Sequence, residues 1–229
     1  APIELRQQLR EAFIQEGALL TQLSSECGGI VQARDTGVCT TPNGGWLPFI
    51  VLEWLEGSTL AEALEKRHGA RLELAAVIAL LRQVAAALDL AHERGVAHRD
   101  VKPDNLFVMG GDLRRANAVL KLLDFGVAKL MTQSAKQATL LTKTGVAVVP
   151  FTPHYGAPEQ YSRAFGATGP WTDVFSLALV AVELLAGKSP LAGNDLSELA
   201  LALMDRQLRP TPRALGVAVS DAIEAVFAR

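Results

Sequence analysis

Eight consecutive residues in the middle of the chain, His98-Arg99-Asp100-Val101-Lys102-Pro103-Asp104-Asn105, crowd two carboxylates, an amide, an imidazole and two cations together. Asp124-Phe125-Gly126 begins nineteen positions after Asn105, and Ala157-Pro158-Glu159 follows further on. The amide oxygen of Asn105 and the carboxylate of Asp124 are hard oxygen ligands, suited to a cation such as Mg2+. Asp100 can accept a proton or steer a hydroxyl, and Lys102 adds a positive charge two residues on. Taken singly these residues say little. An Asp before a Lys is ordinarily a solvated pair, and an Asn in a turn is ordinarily a backbone cap. Their grouping is what carries chemical meaning.

Holding such groups in register takes a core, and the composition supplies one. The chain has 229 residues, 49% hydrophobic and 20% charged, enough for one large domain or two small lobes. That balance excludes disorder over most of the length. Lys+Arg 22 against Asp+Glu 24, net −2 with no basic block, excludes a nucleic-acid platform. Cys27 and Cys39 form no CxxC pair and have no suitably spaced histidines, so a zinc site or disulfide framework is not indicated. Reduced thiols in a cytoplasmic compartment fit best. No signal peptide opens the chain, and no apolar run is expected to reach the roughly 18 residues of a membrane span. The longest, 174–186, is broken by Ser176 and Glu183 and reads as a buried helix.

Periodicity places the elements around these residues. Leu5, Leu9, Phe13, Leu19, Leu20 and Leu23 predict a helix over 4–23. Two strand-like runs follow, 30–36 and 46–54, across a Thr-Pro-Asn-Gly-Gly turn. Glu56-Gly57-Ser58 reads as a linker, with Ser58 or Thr59 capping the next helix. A long amphipathic helix is predicted over 72–94, and short strands over 106–109 and 118–122. Residues 131–152 lack periodicity and read as a long surface loop. A nearly all-apolar helix over 172–185 implies burial on every side, with further helices near 195–205 and from 218 onward.

The His98–Asn105 segment followed by Asp124-Phe125-Gly126 resembles the HRDxKxxN catalytic loop and DFG motif of protein kinases, with Ala157-Pro158-Glu159 as the APE motif. Lys102 and Thr152-Pro153-x-Tyr155 resemble the serine/threonine branch, in the style of the eukaryotic-like Ser/Thr kinases of bacteria. The resemblance implies an α+β, two-lobed fold. A small partial lobe of β-strands and the αC helix would span 1–57, and a large, mainly helical lobe 58–229. It implies ATP and Mg2+ as cofactors and Ser/Thr hydroxyls of proteins as substrates.

By the same resemblance, Asp100 would orient the substrate hydroxyl, Lys102 would neutralise the transferring phosphoryl group, and Asn105 and Asp124 would hold the metal. Glu16 matches the αC glutamate that pairs with a strand lysine. Leu52-Glu53-Trp54-Leu55-Glu56-Gly57 resembles the hinge, with Leu52 as gatekeeper. There Glu53 and Leu55 would offer backbone groups to adenine, so that side-chain identity matters little, and Phe107 would pack beneath the ring. Leu20, His98, Phe125 and Asp173 would build the regulatory spine and its anchor, while an isolated Asp173 would read as a helix N-cap. Arg99 resembles the arginine of kinases switched by loop phosphorylation, with Thr139, Thr142 and Thr144 as acceptors for possible self-phosphorylation.

The chain departs from the family pattern in places. No GxGxxG occurs, and the first lysine is Lys66, so the Gly-rich loop and strand lysine are expected upstream of Ala1. The arginine that pairs with Glu159 in the family is expected beyond Arg229. Phe151 and Ala178 stand where glycine is usual. Two other readings compete: a kinase-like binding module or pseudokinase, and a small-molecule phosphotransferase of kinase-like fold. The intact Asp100, Asn105 and Asp124 argue against the first, and Lys102, Ala-Pro-Glu and Thr152-Pro153 against the second. Without the Gly-rich loop and lysine, the 229-residue piece by itself is expected to transfer little or no phosphate.

Overall fold

The computed structural model describes residues 3–42, 46–113, 117–125, 153–191, 196–204 and 209–228. The first unit is helix α1 (Ile3–Glu26) packed on an antiparallel pair, β1 (Ala33–Thr40) and β2 (Trp46–Leu52). Phe13, Leu20 and Leu23 recur on one side of α1 and are buried, which is why a mostly polar sequence still docks. Along β2, Leu47, Phe49 and Val51 are exposed while Ile50 packs against the core, the alternation of a one-sided sheet. The first predicted strand is displaced. Ile30 forms an isolated parallel bridge to Leu122, and pairing with β2 starts at Ala33.

The larger unit begins with a second antiparallel sheet: β3 (Gly57–Thr59), β4 (Leu106–Met109) and β5 (Leu120–Leu122), in that order. Residues 57–59 are therefore a strand rather than a linker, and the expected lobe boundary at 57/58 falls inside it. Thr59 ends that strand and caps α2 (Leu60–Lys66) in a capping box with Glu62, as its hydroxyl and the Glu62 carboxylate each satisfy the other's backbone N–H.

Helix α3 (Leu74–Glu93) buries Val77, Leu80, Leu81, Val84, Leu88 and Ala91, a helical stripe. By length and composition α3 is apolar enough to cross a membrane, contrary to the expectation that no run would be; its buried stripe belongs to the main core. After a 3-10 turn at Pro153–Tyr155 come α4 (Pro158–Tyr161) and α5 (Pro170–Ala186), then α6 (Leu196–Met204) and α7 (Asp221–Phe227). Helix α5 packs on α3 with Val180 and Leu184 buried, but Trp171 and Val174 are exposed, so its burial is not all-round. Residues 126–152, including the predicted loop, its three threonines, Phe151 and Thr152, lie outside the described residues.

The end of α5 shows how tightly the large unit closes. Gly187 caps it in the left-handed region at φ 70°, and Arg71 donates from its guanidinium to the terminal carbonyl of Ala186 at 3.2 Å. A Cβ on Gly187 would stand 2.0 Å from the carbonyl oxygen of Gly69. Gly187→Ala combines left-handed strain with a backbone clash and is expected to cost about 2–4 kcal/mol. A calorimetric melting temperature matching the parent protein would refute this.

Candidate active site

The catalytic-loop segment is held by one buried carboxylate. Asp173, in the first turn of α5, is fully buried. Its Oδ2 accepts the backbone N–H of His98 at 2.8 Å and lies 2.7 Å from His92 Nε2, and its Oδ1 accepts the Arg99 N–H at 2.6 Å. It is not the N-cap that an isolated Asp suggests: Gly169 takes that position, and the Asp173 carboxylate serves His92 and the loop instead. The grip matters because Arg99 sits at φ 62°, an uncommon conformation for a side-chain-bearing residue. Gln160 of α4 completes the hold, donating from Nε2 to the Arg99 carbonyl at 2.9 Å.

His98 links this loop to the next motif. It is buried, its Nδ1 accepts the Asp100 N–H at 3.2 Å, and its Nε2 donates to the Leu123 carbonyl at 2.7 Å. That pattern is the neutral Nε2–H tautomer. Burial lowers the pKa of the ring below the ordinary imidazole value, against the pull of the Leu123 carbonyl and nearby carboxylates. Its ring meets Phe125 edge-on with centroids 5.0 Å apart, and Leu20 and Phe125 belong to one buried cluster.

Three of the sequence-predicted residues meet directly. Asn105 Nδ2 donates to the Asp100 carbonyl at 2.8 Å and to Asp100 Oδ2 at 3.2 Å, and Lys102 Nζ stands 3.4 Å from Asp100 Oδ2. With Nδ2 committed, the amide oxygen of Asn105 is the atom left for a cation, and it receives no hydrogen bond among the described residues. The Leu123 N–H donates to the Asn105 carbonyl at 2.8 Å, which brings Asp124 alongside. Asp124 is exposed and adopts φ 51°. One amide oxygen and one solvent-facing carboxylate fit Mg2+, which keeps several waters and takes few protein ligands.

The residues expected to form a hinge lie at the end of β2 and just beyond it. Leu52 and Trp54 are exposed, and Leu55 is half-buried. Phe107 lies half-buried on β4, paired across to Thr59 and Lys121. Glu53 overturns the view that side chains there matter little. Its carboxylate accepts the Gln32 N–H at 2.8 Å and pairs with the Lys121 ammonium. Glu16 lies on α1, but its side chain is not among those described.

Residues 153–161 are stitched to the large unit. Ser176 donates to the Tyr155 carbonyl at 2.7 Å, the Tyr155 hydroxyl donates to Glu183 Oε2 at 2.6 Å, and the Tyr161 hydroxyl donates to the Pro153 carbonyl. Burial raises the pKa of the Glu183 carboxyl in spite of that Tyr155 bond. Glu159, expected to depend on an arginine beyond the chain, accepts the Thr172 hydroxyl at 2.7 Å. Sequence reasoning passed over Gln160, His92 and Lys121. A histidine in the last turn of the amphipathic helix α3 was a readable signal for His92, and nothing local marked the other two.

Asp173→Ala leaves two backbone N–H groups and His92 without their acceptor. We expect a loss of about 3–5 kcal/mol, with Asp173→Asn recovering part of it. Equal denaturant midpoints for Asp173→Ala and the parent protein would contradict this.

A family model described as a protein kinase domain matches residues 3–221. Serine/threonine-protein kinase Pkn1 of Myxococcus xanthus is 40% identical over 185 residues, covering 80% of this chain and 24% of Pkn1. Serine/threonine-protein kinase PknA of Mycobacterium tuberculosis is 35% identical over 197 residues, 86% of this chain and 42% of PknA. The drp72 kinase of Corynebacterium efficiens is 31% identical over 223 residues, 94% of this chain and 40% of drp72. The chain thus spans between 24% and 42% of these relatives' lengths.

Proposed function

The chain belongs to the protein kinase domain family, and from that membership we propose that it is the catalytic domain of a bacterial-type serine/threonine protein kinase, transferring the γ-phosphoryl group of ATP to Ser/Thr hydroxyls of proteins. The observation that carries the reading is the junction of Asp100, Lys102 and Asn105 beside Asp124, on a loop fixed by Asp173. Protein kinases generally use ATP and Mg2+, and the metal neutralises phosphate charge when bound. In the proposed roles, Asn105 Oδ1 and the Asp124 carboxylate hold that metal. Asp100 Oδ2, already steadied by Asn105 Nδ2, accepts a hydrogen bond from the substrate hydroxyl and points its oxygen at phosphorus. Lys102, whose ammonium stands 3.4 Å from Asp100 Oδ2, offsets negative charge on the moving phosphoryl group. The backbone of Glu53 and Leu55 receives adenine between Leu52 and Phe107, and Glu16 pairs with the strand lysine.

The proposal extends to location and control. A domain that consumes ATP works in the cytoplasm, and Cys27 and Cys39 are both free, as reducing compartments keep thiols. Arg99, whose backbone is pinned on both sides, is proposed to receive a phosphate placed on the loop by self-phosphorylation.

In a transfer assay on the full-length protein with Mg2+-ATP, Asp100→Asn is expected to lower kcat by about 10²–10⁴-fold. Undiminished transfer would remove Asp100 from the mechanism. Mass spectrometry of the active protein is expected to find phosphate on Thr139, Thr142 or Thr144. An active enzyme with all three unmodified would end the switching proposal.

A further inference from the structure

Lys121 stands where the two sheets and the hinge meet. Its strand neighbours Leu120 and Leu122 are buried, so alternation sends Lys121 to the opposite face of β5. It pairs in register with Phe107 on β4, and Phe107 with Thr59 on β3. Directly opposed residues share a face with Cβ atoms about 5 Å apart. Lys121 therefore belongs to the same surface as the side chain proposed to floor the purine.

Its ammonium meets the Glu53 carboxylate, one residue past β2. Glu53 also exchanges two bonds with Gln32: its N–H donates to the Gln32 carbonyl at 2.9 Å, and Oε1 accepts the Gln32 N–H at 2.8 Å. Gln32 in turn follows Val31, whose N–H donates to the Leu122 carbonyl at 3.0 Å on β5. The ring closes: strand, lysine, glutamate, connector, strand. The two charged side chains are only 16% and 17% exposed, which sets the pair apart from a screened surface bridge. Burial alone would raise the Glu53 carboxyl, but bonds from Lys121 and Gln32, with the charges of Lys121 and Arg34, leave it below its ordinary value.

We propose that this ring is a latch that sets the backbone path of the hinge, making Lys121 and Glu53 positioning residues for purine recognition. It rests on the reading of residues 53–56 as the nucleotide-binding hinge. That segment has no regular secondary structure. At its far end the Glu56 carbonyl accepts the Gly110 N–H at 2.8 Å, and a Cβ on Gly57 would stand 2.1 Å from the Val108 carbonyl oxygen. The hinge is thus moored at both ends, at the rear by backbone and at the front by the latch. The groups that would meet a purine edge are carbonyls and amides, aimed by φ and ψ alone. Freeing the front mooring spreads those directions over more conformers, and apparent affinity falls with the competent fraction.

The test is titration of the full-length protein with adenosine, followed by calorimetry well below each variant's melting point, where lost stability alone leaves Kd unmoved. Lys121→Met is expected to weaken adenosine binding by about fivefold or more. Lys121→Arg should restore most of it, and adding Glu53→Gln to Lys121→Met should cost less than a further twofold. Should Lys121→Met not fold, Glu53→Gln, which keeps the shape and loses the charge, is read in its place. If the parent chain binds adenosine and the variants bind it equally well, the latch is wrong while the nucleotide reading stands. If the full-length parent protein binds neither adenosine nor ATP, that reading falls and the latch falls with it.

Discussion

A single carboxylate underlies the geometry of the site. Asp173 is fully buried, and a buried charge is tolerable only when donors surround it. Here they are the N–H groups of His98 and Arg99 and the ring of His92. The exchange runs both ways. The carboxylate is stabilised by loop donors, and the loop is held in a conformation, φ 62° at Arg99, that it would not favour unaided. Since α5 rests on α3 through Val180 and Leu184, the loop inherits the rigidity of the core rather than the softness of a surface segment.

From that anchor, order passes along the chain by short steps. His98 carries it to Leu123, Leu123 carries it to Asn105, and Asn105 steadies Asp100. The small unit is joined to the same strand by backbone, since Leu122 bonds both Gly29 and Val31. Two residues of β5 thus serve opposite partners: Leu122 takes the connector and Lys121 the hinge. The directions of the candidate site's groups are thus set by hydrogen bonds, which is what positioning chemistry requires.

Much of this was legible before any coordinates. Polar and charged residues at fixed spacings, from His98 to Asn105 and at Asp124, marked the candidate site, and apolar periodicity announced α1, α3 and α5. What escaped was contact information that no local pattern holds. The strand expected from Ile30 starts at Ala33, because Ile30 is drawn to Leu122, ninety-two positions away. The tripeptide 57–59 reads as a linker by its glycine and serine, yet tertiary pairing with β4 makes it a strand. Glu53 resembles a residue known for its backbone, and its side chain acquires a task only through Lys121, sixty-eight positions on. The apolar character of α5 suggested burial all round, but Trp171 and Val174 face outward at its first turns.

Gln83 of α3 has a quieter role. Its amide accepts from the Leu120 N–H at 3.2 Å and donates to the Ala118 carbonyl at 3.0 Å, mimicking a neighbouring strand. With the 29–31 connector bonded at Leu122, the β5 edge of the sheet is met by chain from outside it at Ala118, Leu120 and Leu122. A helix side chain thereby occupies backbone groups at the β5 edge that a further strand would otherwise pair with.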